Sequence, residues 1–454
     1  MTIKMEGIVQ KNLFSSMKSV GVYVPEESKY RILSEILPWC ELAGVANRHR
    51  SKLMDINRGA PLNLRLHLGA YIVQTMDGLT DRKTEEMVRY HAGVRLLCGV
   101  EGSTETIDHT SVEDFRNTVG PEGAEELNAI IVRHAVKEGF TGNKLCSSDT
   151  TVQEAPICHP TEVGHLRKIG ERLAGIGTRI KKGIASRMEE LKGKVEEIYT
   201  EIRLFTRGKK EKTIERKKKL GKKLHRAVAM LHRVVEKEIR GMAQGARAHY
   251  EEELALYRKM LGQIKVWMRT GFHPPGKIVS LWYRDARAIT RGKAARAVEF
   301  GRRWFITLLT GGYIIGRPCK KLGSDTDGKI AGEVLPQFAE VLGKMPEMFV
   351  YDRGGDEETN HRLLKQAKVK KNCIFRKGKG KMEVGPRIFS SAKRERALSE
   401  AAIATIKCGK YNFNKPRARS GETCVTKGQM AMLGANMNRL LRDLRGEVQV
   451  AVAV

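Results

Sequence analysis

Between Leu166 and Phe205, twelve apolar residues (Leu166, Ile169, Leu173, Ile176, Ile180, Ile184, Met188, Leu191, Val195, Ile198, Ile202 and Phe205) recur at intervals of three or four. That spacing keeps one apolar stripe on the face of an α-helix, and a strand, with its period of two, cannot satisfy it. A second seam runs through Leu220, Leu224, Val228, Leu231, Val235, Ile239 and Met242, then less regularly through Tyr250, Leu254, Met260, Ile264 and Met268. The seams flank Thr206-Arg207-Gly208-Lys209-Lys210-Glu211. The pattern predicts a coiled-coil-like antiparallel helical hairpin within residues 163–276, each arm roughly 60 Å or more long at about 1.5 Å per residue.

Around the hairpin's tip, residues 207–226 carry eleven Lys and Arg, including Lys209, Lys210, Lys217, Lys218 and Lys219, against Glu211 and Glu215. So one-sided a run repels itself unless phosphate or counterions balance it, which favours DNA contact over a merely solvated helix face. The whole chain shares the bias: 83 Lys and Arg against 52 Asp and Glu leave a formal charge of +31. Nucleic acid is the expected partner, because neutralising phosphates releases condensed counterions.

On either side of the hairpin the pattern changes. Residues 1–138 read as a predominantly helical domain. Pro61 opens Leu62–Val73, Asp81 is placed to cap a helix from Arg82 to Leu97, and Asp108–Arg116 begins another, as in a helix-turn-helix-like unit. Residues 139–162 hold a strand around Asp149. In residues 277–446, Glu299–Thr310 and Tyr313–Gly316 flank Gly311-Gly312 as a β-hairpin. A helix over 332–342, a strand ending at Asp352, a helix over 357–367, a strand over 372–375 and a helix around Glu400 follow, an alternation that marks an α/β domain.

The eight cysteines include no C-x-x-C pair. They read as reduced thiols of a cytoplasmic protein, against a zinc ribbon or a disulfide framework. The first residues lack the apolar core of a signal peptide, and no run approaches the roughly 18 apolar residues of a membrane span. The expectation is a soluble, nucleoid-associated protein without a membrane partner.

The chemistry rests on three acids. Asp352 ends the apolar run Met348-Phe349-Val350-Tyr351, where a strand would hold a carboxylate at the sheet rim. Asp149 lies in a second strand-like run, and Glu400 lies in the helical Arg396–Ile403. Carboxylates suit Mg²⁺ or Mn²⁺, and two such ions about 4 Å apart can activate a nucleophile and shield phosphate charge. Arg396 stands one turn before Glu400 and Lys407 two turns after it, placed to pair with DNA phosphate or, alternatively, to serve as surface charge or an intrahelical ion pair. Arg376-Lys377-Gly378-Lys379-Gly380-Lys381 offers a basic loop just ahead. Gly323–Ile330 mimics a phosphate loop but has Ile330 where a Ser or Thr is needed. His159 and His165 lack a third partner at metal spacing.

These motifs, taken in order, resemble those of bacterial insertion-sequence DDE transposases with an RNase H-like catalytic core. The resemblance lies in Asp149–Ala155 with His159-Pro160-Thr161-Glu162, in Tyr351-Asp352-Arg353-Gly354, in Arg396–Glu400 with Lys407, Gly409, Arg417, Arg419 and Gly421, and in the leader segments Asp81–Gly99 and Asp108–Arg116. Gly355 and Glu162 depart from the family pattern, which usually has an aromatic residue and Asp there.

The resemblance implies an α/β plus all-α fold: a mixed β-sheet core with flanking helices, interrupted by the hairpin insertion and preceded by the helical domain. It makes Asp149, Asp352 and Glu400 the catalytic, metal-binding acids and places Arg396, Lys407, Arg417 and Arg419 on DNA. The implied activity is cleavage at the terminal inverted repeats and strand transfer into target DNA, by at least a dimer on double-stranded DNA. A non-catalytic DNA-binding protein, or a decayed copy of a transposase, is the alternative, and a coiled-coil scaffold a third reading.

Overall fold

The computed structural model describes residues 23–52, 62–157, 159–205, 210–293, 296–320, 327–378, 380 and 382–446. Arg207 and Lys209 at the expected hairpin tip, Lys379 and Lys381 of the basic loop, and Gly323–Thr326 lie outside them. The chain divides into two compact units, one from residues 1–156 and 302–454, the other from residues 157–301.

The first unit opens with α1 (Lys29–Ile36), α2 (Trp39–Ser51), α3 (Leu64–Asp77), α4 (Asp81–Tyr90), α5 (Ala92–Leu97) and α6 (His109–Lys137). Asn63 caps α3 by accepting from the Leu66 N–H at 3.1 Å. Gly78 then turns the chain away in the left-handed region (φ 66°), pressed so closely on the Lys410 carbonyl that a Cβ has no room there.

The single helix expected over 82–97 is two helices, because His91 is extended (φ −99°, ψ 112°) and its Nδ1 caps α5. The cap of α4 is Thr80, while Asp81 is spent on a buried pair with Arg116. Asp108 caps α6 as the sequence suggests, accepting from the Thr110 and Ser111 N–H groups at 2.8 and 2.9 Å. Helix α6 kinks at Gly120 (φ 62°), just before Pro121.

The sheet has the order β2-β3-β1-β5-β6, with β4 also paired to β3. Its strands are β1 (Leu145–Glu154), β2 (Arg287–Lys293), β3 (Arg296–Leu309), β4 (Ile314–Pro318), β5 (Met348–Tyr351) and β6 (Lys371–Ile374). Strand β3 begins in the second unit, where it pairs antiparallel with β2, and ends in the first, where it forms the expected hairpin with β4 through Gly311 (φ 77°) and Gly312 (φ 85°). The β1–β5 and β5–β6 pairs are parallel, so the sheet is mixed. Parallel neighbours need crossovers, which α11 (Ile330–Leu342) and α12 (Glu358–Gln366) help supply.

Helix α13 (Pro386–Lys407) lies over β1 and β5, while α14 (Gly421–Leu444) packs against α6 and α3. Asn436 Nδ2 donates to Asn128 Oδ1 at 2.8 Å, a buried polar tie between α14 and α6. Trp304, fully buried on β3, donates to Gln153 Oε1 at 3.0 Å and fills the space that Gly428 leaves open on α14. A side chain at Gly428 would displace that indole, whose burial stabilises the fold by about 2–3 kcal/mol.

In the second unit the expected two-armed hairpin is corrected. Each apolar seam is split, giving α7 (Glu162–Ile180), α8 (Ala185–Phe205), α9 (Glu211–Arg240) and α10 (Gln244–Thr270). Lys181 leaves helical geometry (φ −148°, ψ 107°), and a short 3₁₀ turn over Lys182–Ile184 reverses the chain. Gly170 then meets Val195 and Gly177 meets Met188, so α7 and α8 are antiparallel. Ala243 is likewise extended (φ −60°, ψ 146°), and α10 folds back on α9, where His232 Nε2 lies 3.0 Å from the Leu254 carbonyl. The seam residues from Leu166 to Ile202 and from Leu220 to Met268 share one core that also takes in Ile278 and Leu281. Among the described residues no helix is long and apolar enough to cross a membrane.

Candidate active site

Strands β1 and β5 pair in parallel with Leu145 opposite Met348, Cys146 opposite Phe349 and Ser147 opposite Val350. Asp149 stands four residues beyond Leu145, and Asp352 four beyond Met348. Continuing the register sets the two acids abreast, Asp352 just past the C-terminal end of β5 and Asp149 midway along β1, on the sheet face that also carries Ser147 and Val350. Helix α13 covers that face: Ala392 packs with Leu145, Val350 and Cys373. Buried Ser399 has its Oγ 2.7 Å from Ser147 Oγ and 3.2 Å from the Ser147 carbonyl. Glu400 is the next residue, its side chain 58% exposed.

The three acids share one electrostatic environment. Burial pushes the Asp149 carboxyl up to about 6, and the charges of Asp352 and Glu400 push the same way. The Thr150 N–H, donating to Asp149 Oδ1 at 2.7 Å, and the Arg396 guanidinium oppose them. Asp352 Oδ1 accepts from the Gly354 N–H at 2.8 Å. Glu400 Oε1 accepts from Arg396 at 3.1 Å, and the Arg396 guanidinium also lies over the Phe375 ring, 5.8 Å from its centroid. Among the described residues no three acid, imidazole or thiol groups stand together at metal-ligating distance.

Asp327 is the functional candidate that sequence reasoning passed over. Its Oδ1 accepts from the Tyr351 hydroxyl at 3.0 Å and from Thr150 Oγ1 at 3.3 Å, and Arg303 stands 3.9 Å away. It is therefore a fourth carboxylate beside the strand ends, reached through the neighbours of Asp149 and Asp352. Burial first, then the charges of Asp327, Asp149 and Asp352, raise the Tyr351 phenol well above its ordinary value. The sequence signal was Asp327 itself, set in a stretch that fails as a phosphate loop.

Around the acids, Lys407 sits half-buried at the end of α13. Arg417 and Arg419 are exposed in the segment before α14. In the second unit, Lys210 precedes α9, and Lys217, Lys218 and Lys219 are exposed on it. Arg376 anchors the basic loop to Asp356 (3.0 Å), which also binds His361 Nε2 (2.9 Å) and the Lys377 N–H (2.7 Å). Gly355 is glycine for a local reason: a Cβ there would lie 2.5 Å from the Tyr351 ring. Glu162 is paired with Lys277. His159 makes an edge contact with Phe300, and His165 is buried, its imidazole pushed down to about 4 chiefly by that burial.

A mixed sheet that sets two acids side by side, beneath a helix that carries a third, defines, as a class, an α/β protein with acids gathered at one end of a parallel strand pair. The family described as Transposase domain (DUF772) matches residues 19–118. A Rhizobium meliloti protein, described as uncharacterized protein ORF8 in the nfe locus, is 30% identical over 146 residues, covering 28% of this chain and 70% of that protein. No solved structure matches. The chain belongs to the transposase family of bacterial insertion sequences.

Proposed function

We propose that this protein is a metal-dependent DDE transposase that binds the terminal inverted repeats of its element, hydrolyses a phosphodiester there and joins the freed 3′ hydroxyl to target DNA. The observation that carries this reading is the pairing of Asp149 and Asp352 on one sheet face, beneath the helix that carries Glu400, whose charge reaches Asp149. The placement of the first acid on a central strand, the second at the end of its parallel neighbour and the third on a covering helix supports an RNase H-like core. The division of the chain supports residues 163–276 as an insertion into that core, with residues 1–138 as the end-binding or dimerisation domain.

The donor set fits Mg²⁺ or Mn²⁺. Three carboxylates offer hard anionic oxygens, and the burial and like charge that lift Asp149 are what a bound divalent cation would offset. Held by Asp149, Asp352 and Glu400, one or two such ions would supply activation of water or the 3′ hydroxyl and shielding of the phosphate. The Thr150 and Gly354 N–H groups orient two of the carboxylates, and Arg396 balances charge at Asp149 while holding Glu400. Joining two element ends to one target requires at least a dimer on double-stranded DNA, which places the protein on the nucleoid.

The second reading, a DNA-binding protein without cleavage, draws on the Arg396–Glu400 pair, which occupies the third acid. Alanine at Asp149, Asp352 or Glu400 separates the two. Each substitution abolishes cleavage of end-labelled element DNA and leaves its retention in a gel shift intact; cutting that survives in all three variants contradicts the enzyme assignment.

A further inference from the structure

Within the first unit, the helical leader and the segment before α14 enclose a cleft of about 900 Å³. Three helices turn their N-terminal ends toward it: α4 capped by Thr80, α6 capped by Asp108 and α14 capped by Ser420. Such ends present free N–H groups and the positive pole of the helix dipole.

The walls add Arg82, Arg116, Arg417, Arg419 and Lys427 against only Asp81 and Glu113. Asp81 is taken by Arg116, which is 3% exposed and keeps its Nε without a partner. The guanidiniums of Arg82, Arg417 and Arg419 are exposed and make no ion pair or hydrogen bond among the described residues. Burial, then the charge of Arg116, pulls the Lys427 ammonium below the ordinary lysine value, as happens where positive charge is in excess.

The cleft is also tied to the strand of Asp149. Lys415 donates its N–H to the Glu154 carbonyl at 2.9 Å and pairs with the Glu154 carboxylate at 3.2 Å, while Gln153 Nε2 donates to the Cys424 carbonyl at 2.7 Å. Glu154 is five residues beyond Asp149, roughly 17 Å along an extended strand. At about 3.4 Å of helix axis per nucleotide of one strand, that is about five base-pair steps of duplex DNA.

We infer that this cleft grips the phosphodiester backbone of the DNA strand whose scissile bond lies at Asp149, with Arg82, Arg417 and Arg419 as its phosphate contacts. The inference deepens the transposase reading and rests on it. It gives the leader a task shared with the catalytic chain: the leader supplies Arg82 and the helix ends, and the segment anchored to β1 supplies the other two arginines.

The test is anisotropy of a short labelled element-end duplex with the full-length protein, titrated with salt and without metal. Arg417→Ala/Arg419→Ala and, separately, Arg82→Ala are compared with wild type, all with unchanged melting temperature because the three side chains are exposed. Losing the two arginines lowers affinity roughly tenfold and shallows the salt slope by about two, and losing Arg82 shallows it by about one. Wild-type affinity and slope in both variants overturn the inference. Adenosine monophosphate serves as the competing probe: tight binding of it to wild type, lost in the variants while duplex binding is kept, overturns the strand assignment in favour of a free-nucleotide site. Failure of the enzyme reading is distinguishable: absent metal-dependent cleavage together with weakened binding in the cleft variants sinks the chemistry and leaves the cleft standing.

Discussion

Ser399 and Ser147 hold the helix of Glu400 onto the strand of Asp149: their buried hydroxyl oxygens are 2.7 Å apart, and Ser399 Oγ also reaches the Ser147 carbonyl. Each serine lies within two residues of a proposed metal-binding acid, so this contact fixes the separation of strand and helix beside those acids. Ser399→Ala removes it and leaves a buried hydroxyl to the longer bond with the Glu395 carbonyl. The expected cost is about 1 kcal/mol, read as a lowered melting temperature. Cleavage falls further than stability does, because the acids lose their spacing. Ser399→Val, which adds bulk at the contact, abolishes cleavage.

Asp149 gives the stability a pH dependence of definite sign. Its carboxyl is raised from 3.8 to about 6, so the folded protein holds a proton that the unfolded chain releases. The stability linked to this group is present below about pH 4 and is lost as pH rises toward 6. Asp149→Asn removes that loss, raising stability at pH 7 by roughly 1–3 kcal/mol and changing little at pH 4. Melting curves at the two pH values check it.

In the proposed metal-binding role, a divalent cation offsets the burial and like charge that raise the Asp149 carboxyl. Taking up Mn²⁺ at Asp149 requires its proton to leave, so affinity increases between about pH 5.5 and 7 and proton release accompanies binding. Calorimetry in two buffers of different ionisation enthalpy measures that release. Asp352→Asn weakens the uptake; equal uptake by this variant and wild type places the metal elsewhere.

Arg396 lowers the Asp149 carboxyl, and it engages Glu400 directly. Arg396→Ala therefore moves the acid limb of the cleavage profile to higher pH and slows cleavage at pH 7 on the order of tenfold. Arg396→Lys restores the pH limb but not the whole rate, since an ammonium lacks the planar fork and the stacking on Phe375.

Asp356 clips the basic loop to the turn after Asp352. Hydrogen bonds from the Lys377 N–H, His361 and Arg376 outweigh burial, which alone would raise the carboxyl, and bring it down to about 2. Stability from this clip is present above about pH 4 and is lost as pH falls toward 2. Asp356→Asn costs about 2 kcal/mol through weakened charged hydrogen bonds, measured by thermal melting at pH 7.

The strand that ends at Asp352 and the β3–β4 hairpin were legible because they are local. Asp352 ends an apolar strand run, and Gly311-Gly312 turns a hairpin whatever surrounds it. What escaped depends on partners distant in the chain. Ile176, Ile180, Ile184 and Met188 keep helical spacing straight through the break at Lys181–Ile184, so the seam hides its own turn: an apolar residue near a tight turn packs into the same core as one on a helix. Asp327 becomes a neighbour of the acids only through Tyr351 and Thr150. The cleft brings Arg82 to Arg417 and Arg419, residues that no sequence window joins.

The most direct test of the account is strand cleavage and joining on labelled DNA carrying the element's own ends, with Mg²⁺ or Mn²⁺ against EDTA, using wild type and Asp352→Ala. The account predicts cut and joined products that require the metal and vanish in the variant, while both proteins bind the DNA alike. DNA binding with no product in either metal, or product that persists in Asp352→Ala, contradicts it.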